Sequence, residues 1–185
     1  MSIGSNWAEI IKSLGYDLDD HHLRDSPGRV ERFMEKWHTI GKEPPKLTCF
    51  ENVERYDQLV TVGGIRFFSM CAHHGLSFSG TAAVGYIPDK KVVGLSKLAR
   101  VVDHFSRRFQ VQERLTKEIA GYLHEQLEPL AIGVVMSAEH LCMSMRGIER
   151  PGHFTVTSSM QGSFRSEPEA RAELLTLLNP QPRNP

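Results

Sequence analysis

Hydrophobic positions along the chain change period several times, and each change marks an element. Near the start, Trp7, Ile10, Ile11 and Leu14 recur at helical spacing, and Gly15 is placed to stop that helix. Ser26-Pro27 forms an N-cap and first-turn pair that opens a second helix, with Val30, Phe33 and Trp37 on one face and Gly41 beyond its end. Pro44-Pro45 then marks a loop. The pattern next turns to β. Residues 59–62 and 65–70, separated by Gly63-Gly64, predict a hairpin. Residues 81–87 predict a further strand, which Pro88-Asp89 turns into Val92-Val93. Helical spacing returns in Leu98, Val101, Val102, Phe105 and Phe109, with Ser96 as the cap. It continues in Leu115, Ile119, Leu123 and Leu127, ended by Pro129. Strands are predicted again over 132–137, 140–146 and 154–159, then a short helix over 168–178 and a frayed Pro-rich tail over 179–185.

The order strands, two helices, strands predicts an α+β domain: an antiparallel four-stranded sheet with two helices packed on one face, plus N-terminal helices. We expect residues 1–46 to form a helical extension and 47–185 the main domain. The second face of such a sheet is left for solvent or a partner subunit. Composition narrows the function. Lys+Arg and Asp+Glu both number 22, so the formal charge is zero, which argues against a nucleic-acid backbone as partner. No apolar run is long enough to span a bilayer, so no membrane partner is expected. Three cysteines cannot close a disulfide framework, and a reduced, cytoplasmic setting is the simplest expectation.

Cysteine near histidine in such a setting points to metal or catalysis. In Cys71-Ala72-His73-His74, Cys71 and His74 are spaced to face one ion across a tight turn. In His140-Leu141-Cys142-Met143-Ser144-Met145-Arg146, strand alternation would put His140, Cys142, Ser144 and Arg146 on one face and Leu141, Met143 and Met145 in the core. Together, Cys71, His74 and Cys142 make three ligands with one open position, the catalytic zinc pattern. His73 and His140 are then free for proton transfer. Ser96, Lys97 and Arg100, at a helix start, could cradle a phosphate, although such segments are more often solvated surface. Arg29 and Arg32 are further anion candidates. A carboxylate such as Glu113 can pair with the N1–H and 2-amino group of guanine, or simply favour a helix start.

These segments, in this order, resemble GTP cyclohydrolase I. The resemblance runs from Asp25-Ser26-Pro27-Gly28-Arg29 to Leu178. It is most specific at Tyr86-Ile87-Pro88, in residues 94–100, in Gln110-Val111-Gln112-Glu113-Arg114-Leu115-Thr116, in residues 140–147, and in Thr155-Val156-Thr157-Ser158. It implies a tunnelling fold (T-fold) and homodecamers with active sites between subunits. It implies zinc on Cys71, His74 and Cys142, and proton transfer by His73 and His140. Guanine recognition falls on Gln112 and Glu113. The triphosphate and ribose fall to Ser96, Lys97, Arg100 and Arg146, with Arg29 and Arg32 as further phosphate ligands and Ser96 assisting the sugar rearrangement. The implied reaction opens the imidazole ring of GTP, releases formate and recloses the ring as 7,8-dihydroneopterin triphosphate. Some positions depart from the family: Ala72 stands for the usual Glu, Gly75-Leu76-Ser77-Phe78 for Leu-Leu-Pro-Phe, Glu139 for a small or apolar residue, and Phe154 for a frequent Lys. Two alternatives stay open: a divergent cyclohydrolase that takes another purine nucleotide or stops at ring opening, and a non-catalytic nucleotide-binding T-fold subunit.

Overall fold

A computed structural model describes residues 1–178, and the tail read as frayed lies outside the described residues. The chain forms two compact units, Met1–Ile40 and the remainder from Gly41. In the first, α1 (Ile3–Ser13) begins where the Ser2 hydroxyl accepts the Ser5 N–H at 3.2 Å, a side-chain cap for an otherwise orphaned donor. It packs on α2 (Ser26–Trp37), in which Pro27 occupies the first turn. Ser26 is itself helical and Asp25 is the capping residue, one position earlier than the Ser-Pro pair suggests.

The second unit is built on a sheet. A small antiparallel pair joins β1 (Cys49–Glu51) to β4 (Lys91–Val93). The main sheet contains β2 (Val60–Cys71), β3 (Ser77–Ile87), β5 (Phe109–Gln110), β6 (Ala131–His140) and β7 (Phe154–Gly162), in the order β5-β2-β3-β6-β7. Strands β2, β3, β6 and β7 are the four expected antiparallel strands, and β5 adds a two-residue parallel edge. The expected reversal at Gly63-Gly64 does not occur. Both flanks pair with β3, Val62 with Val84 and Ile65 with Ala82, and the glycines form a bulge within one long strand. The turn that sends the chain back lies instead between Cys71 and Leu76.

Helices α3 (Leu95–Ser106) and α4 (Gln112–Leu127) cover one face. Leu98, Val101 and Val102 from α3 and Leu115, Ile119, Leu123 and Leu127 from α4 are buried on Phe67, Val84, Tyr86, Ile132 and Met136. Phe109, expected on the α3 stripe, lies exposed in β5, because the helix ends at Ser106. The opposite face is partly covered as well. After α6 (Ser163–Ser166), α7 (Pro168–Leu178) seats Leu174 and Leu178 with Phe164, Ala83 and Ala131. Gly85 and Gly133 are directly paired across β3 and β6, and a Cβ on either would lie 2.2 or 2.3 Å from Leu174. Two absent side chains in register therefore make the groove that admits α7. Leu174 is fully buried there. Leu174→Ala should cost about 3 kcal/mol, read as a lowered midpoint in urea unfolding. Among the described residues, no helix is long and apolar enough to cross a membrane.

Candidate metal centre

The site forms where three strands of the sheet end together. Cys71 closes β2, and its N–H donates to Leu76 O at 2.8 Å while its carbonyl accepts from Gly75 N–H at 2.9 Å. The turn between them is held from the side as well: Cys71 pairs with Gln110 of β5, and Ala72 N–H donates to Gln110 O at 2.9 Å. The Gln110 side chain is buried, donating to Glu118 at 2.7 Å and accepting from Arg114 Nε at 2.7 Å, so this brace is itself tied to α4. His140 ends β6 in register with Phe78 of β3. Their rings stack at 4.5 Å with 3° between planes.

Beyond His140 the structure corrects the expected strand over 140–146. Strand β3 has run out at Ser77, so β6 loses its partner there. The chain satisfies its backbone with a single turn instead, α5 (Leu141–Ser144), closed by Met145 N–H to Leu141 O at 3.0 Å. Cys142 and Ser144 therefore do not share a strand face with His140 and Arg146. Leu141, Met143 and Met145, expected in the core, are exposed.

The turn nevertheless brings Cys142 back to Cys71. The ligand atoms of Cys71, His74 and Cys142 all lie within 4.8 Å of one another. Cys71 Sγ is 3.7 Å from His74 Nδ1 and 3.9 Å from His73 Nδ1. Cys71 is buried, Cys142 half-buried and His74 exposed, so the group is anchored on one side and open on the other. Two thiols and an imidazole, with no carboxylate in the group, match the soft donor set of zinc and suit magnesium or calcium poorly. Burial, then the adjoining Cys71 thiol, push the Cys142 thiol above its ordinary range, while Arg146 pulls weakly the other way. Two thiolates side by side repel, and a divalent cation between them removes that penalty.

His140 is oriented from behind. Its Nε2 lies 2.7 Å from Gln112 Oε1. Gln112 Nε2 faces three acceptors: Met136 O at 3.2 Å, Thr155 O at 2.9 Å and Thr157 Oγ1 at 3.2 Å. An amide turned the other way would oppose oxygen to oxygen, so Oε1 must be the acceptor toward His140. The neutral imidazole then carries its proton on Nε2, leaving the Nδ1 lone pair free. Burial lowers the His140 pKa, and Glu113 opposes that shift. Thr116 completes the support, donating to Gln112 O at 2.8 Å and meeting Thr157 Oγ1 at 2.6 Å.

The resemblance places Gln112 at guanine recognition. That residue is buried, and both ends of its amide are committed within the fold. Glu113, its neighbour, is exposed at the start of α4 and close enough to act on His140. Ser96 is not the cap of α3: Gly94 holds that position, and Ser96 lies exposed inside the first turn. Lys97 is half-buried and Arg100 exposed on the same helix. The contacts that gather the cysteines and histidines do not extend to these three. Arg146 is exposed in the loop after α5. Arg29 and Arg32 belong to the N-terminal unit, where Arg29 pairs loosely with Asp25 at 3.5 Å. Phe78, Thr116 and Glu139 were not anticipated at the site. Thr155 and Thr157 alternate with Val156 along β7, the signal from which their inward pairing could be read.

The family model described as GTP cyclohydrolase I matches residues 3–179. A GTP cyclohydrolase 1 from Sulfurihydrogenibium sp. (strain YO3AOP1) is 48% identical over 169 residues, covering 91% of this chain and 89% of that protein. One from Aquifex aeolicus (strain VF5) is 48% identical over 168 residues, covering 91% and 90%. Among solved structures, the archaeosine synthase QueF-Like in the apo form is similar with TM-score 0.46 and 20% identity, over 56% of this chain and 93% of that one. The α+β architecture is the T-fold, and with a match across nearly the whole length the chain belongs to the GTP cyclohydrolase I family.

Proposed function

We propose that this chain is a zinc-dependent GTP cyclohydrolase I, converting GTP and water into 7,8-dihydroneopterin triphosphate and formate. The observation that carries the reading is the convergence of Cys71, His74 and Cys142 beside a histidine of defined tautomer. Zinc held by those three residues would supply Lewis-acid activation of water for attack on C8 of the purine. His140 acts at Nδ1: it takes the proton released by the attacking water and delivers it to N7 as the C8–N7 double bond becomes single; the C8–N9 bond then breaks, with the proton of the new C8 hydroxyl passing to N9 and the formyl group left on N7. Gln112 keeps the other ring nitrogen protonated throughout. His73, exposed beside Cys71, serves a second proton transfer in the hydrolysis that frees formate. Glu113 reads the guanine edge through N1–H and the 2-amino group. Lys97, Arg100 and Arg146 carry the triphosphate, with Arg29 and Arg32 as further phosphate ligands. Ser96 assists the sugar rearrangement before ring closure.

A homo-oligomer, expected to be a decamer with sites between subunits, fits the open edge of β7, where Phe154 and Val156 are exposed. The test is direct. Zinc-loaded protein incubated with GTP should yield formate and a product that oxidises to fluorescent neopterin. Formate without a pterin would point to a cyclohydrolase that stops at ring opening, and no turnover of any purine nucleotide would refute the enzymatic reading. Glu113→Ala should raise KM for GTP by roughly a hundredfold, since two charge-assisted hydrogen bonds are lost. An unchanged KM would mean that the purine is read elsewhere.

A further inference from the structure

Glu139, the residue before His140, has no part in the reaction above, yet one oxygen of its carboxylate accepts two hydrogen bonds. Oε1 accepts from the Ser144 hydroxyl at 2.7 Å and from Gly152 N–H at 3.1 Å. The Ser144 hydroxyl has His140 O as a longer alternative acceptor at 3.3 Å, and beyond these bonds the segment has few contacts to define its shape. Helix α5 is four residues long, far below the length at which a helix sustains itself. The loop after it, residues 145–153, is held by Glu149 N–H to Arg146 O at 3.3 Å and Arg150 N–H to Met143 O at 2.9 Å. Its backbone passes through the left-handed region at Gly147, Glu149 and Gly152, a conformation that surrounding contacts must impose, above all on the non-glycine Glu149. Packing holds the segment only through Cys142, which lies against the core, because Leu141, Met143, Met145 and Ile148 are all exposed. The two hydrogen bonds also draw the Glu139 carboxyl below the ordinary carboxylate range, as expected when the charged form is the one gripped.

This segment carries Cys142 and Arg146. We propose that Glu139 is a positioning residue that clasps Ser144 and Gly152 and so holds α5 and its following loop in the shape that presents Cys142 to the metal and Arg146 to the anionic substrate. The clasp ties the segment back to β6, the rigid strand that also delivers His140. The metal ligand and the proton-transfer residue are thereby referenced to one element. A floppy segment would still contain the thiol, but binding would first have to order it. That ordering cost would appear as weaker zinc and weaker substrate binding. The ligand role of Cys142 and the anion role of Arg146 rest on the function proposed above; the clasp itself does not.

The experiment compares Glu139→Ala, Glu139→Gln and the unaltered protein. Amide hydrogen exchange at Gly152 in metal-free protein reads the clasp without reference to activity. Exchange should be slow in the unaltered protein and in Glu139→Gln, whose amide oxygen still accepts both bonds, and fast in Glu139→Ala. Zinc affinity, by chelator competition, should weaken about tenfold or more in Glu139→Ala, the range typical of outer partners of a metal ligand, and recover in Glu139→Gln. At saturating zinc, the effect of Glu139→Ala on GTP turnover should fall on KM more than on kcat. Equal Gly152 exchange in all three proteins overturns the clasp, as does a zinc affinity unchanged by Glu139→Ala or lost equally in Glu139→Gln. If the unaltered protein neither binds zinc nor turns over GTP, the proposed function fails instead, and the Gly152 exchange still decides the clasp.

Discussion

Cys142→Ser should abolish both zinc retention and GTP turnover while leaving the fold in place. The substitution keeps volume and replaces a soft, ionisable sulfur with a hydroxyl that does not ionise at neutral pH. Binding free energies of roughly 10–16 kcal/mol for zinc held by four protein ligands imply several kcal/mol per ligand, so affinity should fall by about 10²–10³. Cys142 is only half-buried and ends no strand, so its loss should leave the sheet intact. Metal analysis after dialysis, together with a circular dichroism spectrum, separates loss of metal from loss of structure. Full turnover by a variant with no bound metal would refute the site.

His140→Gln should lower kcat by about 10²–10⁴, the usual contribution of a positioned acid–base group, with a smaller effect on KM. The pH profile gives the sharper reading. Burial depresses the His140 pKa, and a neighbouring dication would push it the same way, so the neutral ring with its free Nδ1 prevails at pH 7. An acid limb due to His140 should therefore lie below the ordinary imidazole range and disappear in His140→Gln. Glu113 is the opposing influence, so Glu113→Ala should move that limb to still lower pH. The same depression has a sign for stability. The unfolded chain binds this proton more readily than the folded one, so the stabilisation is present above the unfolded pKa and lost as pH falls through the folded value. A limb that persisted unmoved in His140→Gln would assign the proton transfer to another group.

Local signals in the chain were strong wherever one residue type decides the outcome. Pro27 and Pro129 bounded helices, and the period-3.6 stripes of α3 and α4 named residues that are buried, Leu98, Val101, Leu115 and Ile119 among them, although Phe109 falls outside the helix and is exposed. The same signals misled where pairing overrides local preference. Gly63-Gly64 has the composition of a turn, yet β3 is available on both sides, and continuing the ladder satisfies more backbone groups than reversing the chain. Residues 140–146 alternate like a strand, yet β3 offers no partner past Ser77, so one helical turn replaces the strand.

The chemical inventory was thus a property of the sequence itself: two thiols, three histidines and an acidic residue at a helix start, in an order that resembles GTP cyclohydrolase I. Ligand type is local, since sulfur and imidazole form a soft donor set that suits zinc better than magnesium or calcium. Their meeting was decided by tertiary structure. Cys71 and Cys142 stand 71 positions apart, and the register of β2, β3 and β6 brings their ends together with the α5 turn closing the gap. Tertiary structure also committed the Gln112 side chain to His140, and recruited Glu139 to Ser144 and Gly152. Those partnerships depend on which polar groups the folded backbone brings within reach of one another, and at buried Gln112 on which would otherwise go unpaired.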